Sequence, residues 1–349
     1  MSRTIPTCWV IDHPAHFQFF APFIRGGHES DIIVLSSRPE VQAMFRAREG
    51  HLPHRPHLWV DRPVGTGIGR FRRLFLARKR IQAVRSFLRE YPSVNRIVVK
   101  GASLEILAAK REKRKERIYI SDTESNHIAH RLALRGATSI LLPKSWRKEA
   151  STGIFTDSRV KCYPEILPDL YIDTEQGISI RNQAIAQLHE SIQGMTDDGS
   201  AAPIVFHRRI IGGGIHDGDE IINYQDWIRN LPVHFIHTKE SAVEATDGVW
   251  DMPIQIAMFD GVLTGSTTTA AEAVIHGMPT FLISKAERGF LDELEIRRPD
   301  LLFRWRSTLS DEFDRIARDW IEAMAEIRRP SQIQTEIIEF FEKELGPIA

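Results

Sequence analysis

The chain lacks most of the features that assign a protein to a class early. It has 2 cysteines in 349 residues, Cys8 and Cys162, far apart and each among apolar neighbours. That excludes a disulfide framework and suits buried thiols in a reducing compartment, so a cytoplasmic protein is expected. No apolar run reaches the ~18 residues that a membrane-spanning helix needs, and Asp12 and His13 arrive too soon for the apolar core of a signal peptide. Nucleophile elbow, P-loop and zinc-ligand spacing are all absent. Net charge is missing too, with 46 Lys+Arg against 46 Asp+Glu.

That zero is a cancellation. Residues 1–165 carry 30 basic and 15 acidic side chains, and the remainder carries 16 basic and 31 acidic. Opposite signs in the two halves point to two domains with different partners. A basic half suits an anionic membrane, a nucleic acid or an anionic substrate. The length, with 42% apolar and 26% charged residues, suits two soluble domains with cores of their own.

Strand and helix signals alternate through the first half. Apolar strands are expected at Thr7 to Ile11, Ile32 to Leu35, His57 to Val60, Arg96 to Val99, Ile118 to Ile120 and Ser139 to Leu142. Helical spacing falls between them, including a long basic stretch from Ile68 to Tyr91. Strands apolar on both faces and separated by helices argue a parallel sheet covered on both sides. The pattern weakens between Lys144 and Pro164, where a boundary is expected. The second half repeats the theme, with strands at Pro203 to Phe206, Val233 to Ile236, Gly261 to Leu263 and Thr280 to Ile283. Residues 1–164 then form one domain, 165–330 a second, and the helix in 331–349 crosses back to the first. The expected class is α/β, with two doubly wound Rossmann-like domains facing a central cleft.

In such sheets ligands bind beyond the carboxyl ends of the strands. Four loops there carry chemistry. Gly265-Ser266-Thr267-Thr268-Thr269 follows a strand and opens a helix, with Glu272 one turn in. Small residues feeding a helix N-terminus make an anion site, because free amides and the helix dipole both point at it. The alternative is a well-capped βαβ turn with a surface Glu. Asp12-His13-Pro14-Ala15-His16 follows the first strand, and His16 suits a general base or a histidine held near a helix terminus. Ser121-Asp122-Thr123-Glu124 is an acidic cluster that suits acid–base chemistry or an ordinary helix cap. His207-Arg208-Arg209 precedes Gly212-Gly213-Gly214, and consecutive arginines beside glycines suit a diphosphate.

Weaker matches are set aside. Gly65 to Gly69 does not follow the first strand of a βαβ unit, and Asp217-Gly218-Asp219 sits at a helix start. His51, His54 and His57 alternate with prolines and have neither a fourth ligand nor a helical face.

Three of these segments resemble, in order and spacing, domain-of-unknown-function family 354: Asp12-His13-Pro14-Ala15-His16-Phe17, Ser121-Asp122-Thr123-Glu124, and Gly265 to Ala273 with Gly277-Met278-Pro279. That family is regarded as GT-B-like, related to nucleotide-sugar glycosyltransferases and non-hydrolysing nucleotide-sugar 2-epimerases. The resemblance covers most of the chain, with residues 173–200 looking like an insertion. It implies that Ser266 to Thr269 hold a diphosphate and Glu272 a ribose. The family usually carries Asn-Pro-Pro-His after the first strand; His16 matches, and His13 departs from the pattern.

The expected function is therefore metal-independent transfer of a sugar from a nucleotide diphosphate, UDP among the candidates, to a hydroxyl acceptor in surface polysaccharide or glycoconjugate synthesis. Asp12 or His16 would be the base, Asp122 and Glu124 would bind the acceptor hydroxyl or, in an epimerase, supply acids and bases, and Arg208, Arg209, Gly265, Ser266, Thr267, Thr268, Thr269 and Glu272 would form the donor site. No resident cofactor is expected. A 2-epimerase is the alternative, and a catalytically silent nucleotide-sugar sensor is the alternative of another class. Residues 69–89 contain eight Lys+Arg and no acid, which suits an anionic membrane surface and a lipid-linked acceptor. Nucleic acid is not expected, since no aromatic-plus-basic motif accompanies the charge.

Overall fold

The computed structural model describes residues 5–63, 69–150, 153–164, 166–193, 202–209, 222–239, 250–307, 309–325, 330 and 335–349. They fall into two compact units. Unit 1 is Met1–Tyr171 with Ala242–Trp250 and Gln334–Ala349, and unit 2 is Ile172–Ser241 with Asp251–Ile333.

In unit 1 the strands are β1 (Thr7–Ile11), β2 (Ile32–Ser36), β3 (His57–Val60), β4 (Arg96–Lys100), β5 (Glu116–Ile120), β6 (Ser139–Pro143) and β7 (Val160–Tyr163). They form a parallel sheet in the order β3-β2-β1-β4-β5-β6-β7. Alternation decides which layer each side chain joins. Cys8, Val10, Ile32, Val34, Ile97 and Val99 enter one core cluster, and Trp9, Ile11, Ile33, Leu35 and Val98 enter the other. Both faces are therefore covered, by α1 (Pro14–Arg25), α2 (Pro39–Arg46), α3 (Arg70–Glu90), α4 (Leu104–Arg111) and α5 (His127–Gly136).

Unit 1 is completed from far along the chain. Trp250 stacks on His51 at 4.9 Å, meets the edge of Phe17 at 5.3 Å and donates its indole N–H to Met44 O at 2.9 Å. Near the chain's end a helix over Thr335–Leu345 buries Ile337 and Phe341 completely. Phe341 sits 5.4 Å from Phe19 and 5.2 Å from Tyr163. Each such burial contributes about 1.5–3 kcal/mol.

Unit 2 begins with α6 (Thr174–Gln193) and has strands β8 (Ile204–Arg209), β9 (His234–Lys239), β10 (Gly261–Thr264), β11 (Thr280–Ile283) and β12 (Leu302–Trp305). They pair in parallel in the order β12-β11-β10-β8-β9. Its other helices are α7 (Gln225–Ile228), α8 (Met252–Gln255), α9 (Thr267–Ile275), α10 (Gly289–Arg297) and α11 (Ser310–Ala323); the helix completing unit 1 is α12. Within residues 173–200, expected to look like an insertion, Gly177 and Arg181 pack against the rest of this unit. Arg181 donates to Ala257 O and Phe259 O and pairs with Asp260 at 3.2 Å. A Cβ on Gly177 would lie 2.5 Å from the His276 ring, so only glycine allows that approach.

β7, α10 and β12 were not expected. β7 and β12 end their sheets. A charged residue interrupts the apolar run of each: Lys161 is exposed on its edge strand, whereas Arg304 is buried and paired with Asp292 and Glu295. Cys162 is also less buried than expected, while Cys8 is fully enclosed, which raises its thiol pKa. Among the described residues no helix is long and apolar enough to cross a membrane.

Candidate functional site

A doubly wound sheet opens a crevice where its strand order reverses. In unit 2 the chain runs from β8 to β9 on one side and then to β10 on the other, so the reversal lies between β8 and β10. Arg208 and Thr264 sit side by side at that point. The Arg208 guanidinium reaches across to Thr269 Oγ1 at 3.2 Å, joining two of the expected donor residues from segments 61 positions apart.

The loop that follows β10 is ordered by its own hydroxyls. Ser266 N–H donates to Thr264 Oγ1 at 3.0 Å, and Ser266 Oγ accepts from Thr269 N–H at 3.3 Å as the N-cap of α9. Capping takes one of the first amides and leaves those of Thr267 and Thr268 at the open, positive end of the helix. Gly265, Ser266, Thr267 and Thr268 are half-buried. A left-handed Gly277, φ +76, ends α9. Glu272 is 2% exposed, so it is not the surface Glu of the bland alternative. Arg209 ends β8; Gly212 to Gly214 and Asp217 to Asp219 lie outside the described residues.

In unit 1 the reversal lies between β1 and β4, which places the loops after Ile11 and Lys100 at the crevice. His13 caps α1 and accepts from Ala15 N–H at 3.2 Å. His16 is 8% exposed, and its Nδ1 accepts the Asp12 amide at 3.2 Å. Burial first, then the neighbouring Lys100, His13, Arg62 and Arg38, pull its pKa well below the usual imidazole range. The ring is therefore neutral, with its proton on Nε2. As arranged, that nitrogen has donor and not acceptor character. To act as the expected base, the ring would have to surrender the Asp12 amide.

Asp12 fits the base role less well. Its carboxylate takes Arg80 at 3.0 Å on one oxygen and Arg62 at 3.2 Å on the other. Arg80 continues to Glu105, and both of those side chains are almost wholly buried. Burial would lower the Arg80 pKa, but Glu105 and Asp12 outweigh it and hold the guanidinium charged. Asp122 pairs with Lys100 at 2.8 Å; burial would raise its pKa, and Lys100 holds it below the usual carboxylate range instead. Glu124 is 1% exposed and accepts from Arg147 N–H at 3.1 Å, so it braces the loop after β6 from inside the unit. Of the four acid–base candidates, His16 and Asp12 are joined directly by a hydrogen bond.

Reading the sequence missed Arg80, Glu105, Arg62 and Lys100. Arg80 and Glu105 are 25 positions apart on different helices, and no local spacing signals such a pair. Lys100, a charged residue at the end of an apolar strand, was the one available hint. Among the described residues no three His, Cys, Asp or Glu side chains gather as a metal site requires.

The fold is of the GT-B-like class: α/β, with two Rossmann-like domains. Solved structures with this architecture include an S. aureus MnaA–UDP co-structure, with TM-score 0.63 and 10% identity over 98% of this chain and 97% of that one. UDP-GlcNAc 2-epimerase from Neisseria meningitidis, bound to UDP-GlcNAc, gives 0.57 and 12% over 97% and 99%. The glycotransferase of kitacinnamycin gives 0.51 and 11% over 93% and 91%. No family model matches the sequence, so family 354 stays a resemblance. No curated protein matches either.

Proposed function

We propose that the chain binds a nucleoside-diphosphate sugar at the carboxyl edge of unit 2 and transforms its sugar. One observation carries this reading: Arg208 is held against Thr269 across the β8/β10 reversal, beside the open end of α9. A guanidinium and helix amides are complementary to a diphosphate's paired negative oxygens. The first reading of the reaction is inversion at the sugar's C2. It is supported by the similar structures, several of which are UDP-GlcNAc 2-epimerases. Transfer to a hydroxyl acceptor, the expectation from sequence, is the second reading, supported by the likeness to a glycotransferase.

A thermal-shift panel of nucleoside diphosphates and their sugars tests binding, since a ligand held by the folded state raises the unfolding midpoint. Arg208→Met is expected to weaken nucleotide binding by about 1.5–3 kcal/mol while leaving the fold intact. Failure of every nucleotide to shift the wild type would remove the proposal. Incubating the nucleotide sugar alone then separates the reactions. An epimerase yields a new sugar signal by NMR without an acceptor; a transferase leaves the sugar unchanged until an acceptor is added.

A further inference from the structure

The long basic helix α3 is built from two unlike halves. Its C-terminal half is a domain helix: Ile81, Val84, Phe87 and Leu88 are buried in the core. Its charges are answered, Arg80 by Asp12 and Glu105, and Arg85 and Arg89 by Glu112. The N-terminal half is the reverse. Every residue from Phe71 to Phe75 is exposed, with Phe71 at 88%, Leu74 at 51% and Phe75 at 66%.

Phe71, Leu74 and Phe75 are spaced i, i+3, i+4 and form one ridge. At about 100° per residue, Phe71 and Phe75 lie roughly 130° and 170° round the helix from the centre of the buried set, while Leu74 shares the side of Ile81. The two phenylalanines are therefore not the core stripe running on past the sheet. Arg78 continues the same ridge, and Arg72 and Lys79 flank it. Arg72, Arg73, Arg78 and Lys79 are exposed, and among the described residues none of them pairs with an acid. Unpaired cations and bare aromatics thus coincide on the one stretch of α3 that its own domain does not use.

We propose that the N-terminal half of α3 docks on a bilayer surface carrying anionic phosphate headgroups, with Phe71, Leu74 and Phe75 entering the headgroup boundary. Aromatic side chains on a protruding helical end gain by leaving water there, and the flanking arginines and lysine meet lipid charge. A second copy presenting the same face would bring like charges together, which disfavours self-association through it. The proposal is independent of the nucleotide reading.

Sedimentation of the full chain with vesicles tests it. The wild type should pellet with vesicles containing phosphatidylglycerol, stay in solution with phosphatidylcholine alone, and release as salt rises. Phe71→Ser with Phe75→Ser should lower partitioning roughly tenfold or more. Arg72→Glu, Arg73→Glu, Arg78→Glu and Lys79→Glu together should lower it roughly a hundredfold or more. Both variants alter exposed residues, and an unchanged unfolding midpoint confirms that they fold. Three results overturn the proposal: wild type left in the supernatant at low salt, equal binding to neutral vesicles, or a serine variant that binds as tightly as wild type. The last would make the helix a general polyanion site. A dimer in sedimentation equilibrium that the serine variant breaks would also overturn it, because the ridge would then be a self-contact.

Discussion

The two carboxyl edges occupy the same topological place and are built by opposite means. In unit 1 the edge is charged throughout and internally neutralised. Arg62, Arg80, Asp12 and Glu105 form one chain of ion pairs, Lys100 and Asp122 another, and a neutral His16 stands beside them. In unit 2 the described residues at the β8/β10 reversal are hydroxyls, glycine and helix amides, with Arg208 laid against a threonine. Paired charges fix geometry and leave little attraction for a charged ligand. Open amides beside a guanidinium that meets no carboxylate among the described residues leave that attraction unspent. On the proposed reading, the first edge orients and the second captures the anion.

The strongest test of this contrast is Arg80→Met. Removing the guanidinium leaves Glu105 buried with no counter-charge and Asp12 with Arg62 alone, and unfolding in urea should show a loss of about 3–5 kcal/mol. A loss below about 1 kcal/mol would mean that the network does not organise unit 1. His16→Ala comes next: turnover of a nucleotide sugar should fall roughly a hundredfold with nucleotide affinity unchanged. His16→Gln, which retains a donor, should recover part of the rate if Nε2 donates, and none if the ring works as a base.

On the other edge, Glu272→Ala should weaken nucleotide binding by about 1.5–3 kcal/mol in calorimetry if the carboxylate takes ribose hydroxyls. Unchanged affinity in a folded variant would leave Glu272 a buried structural acid. The smallest effect concerns acid. His16 and His276 both have pKa values lowered in the fold, by burial first. Below the ordinary imidazole value of about 6.5 the unfolded chain binds protons that the folded chain refuses. Stability is therefore full above that value and lost as pH falls through it toward the folded-state value, by up to about 1.4 kcal/mol per pH unit per group. Urea midpoints should fall on acidification and fall less in His16→Gln.

Much of the architecture was legible because parallel strands buried on both faces read as unbroken apolar runs, as in Cys8 to Ile11 and Ile32 to Leu35. The α9 loop was legible for another reason: capping and glycine placement are local. What escaped was non-local or sat at an edge. Arg304 interrupts β12 yet is buried, paired with Asp292 and Glu295 from the preceding helix. Trp250 reads as part of the second half and packs in the first unit. Asp12 looked like a free acid because the arginines that hold it come from positions 62 and 80. Spacing reveals periodicity, but it cannot reveal which distant charge a carboxylate will meet.

The packing of α12 has a consequence for how the molecule is made. Phe341 and Ile337 fill the core of unit 1, and Ala349 N–H reaches back to Pro22 O. A ribosome that has translated as far as Tyr171 has therefore released a sheet with part of its covering still unsynthesised. At about 5–20 residues per second, the missing helix follows on the order of ten to thirty seconds later. During that interval the nascent first unit leaves uncovered the apolar groove that Ile337 and Phe341 later fill.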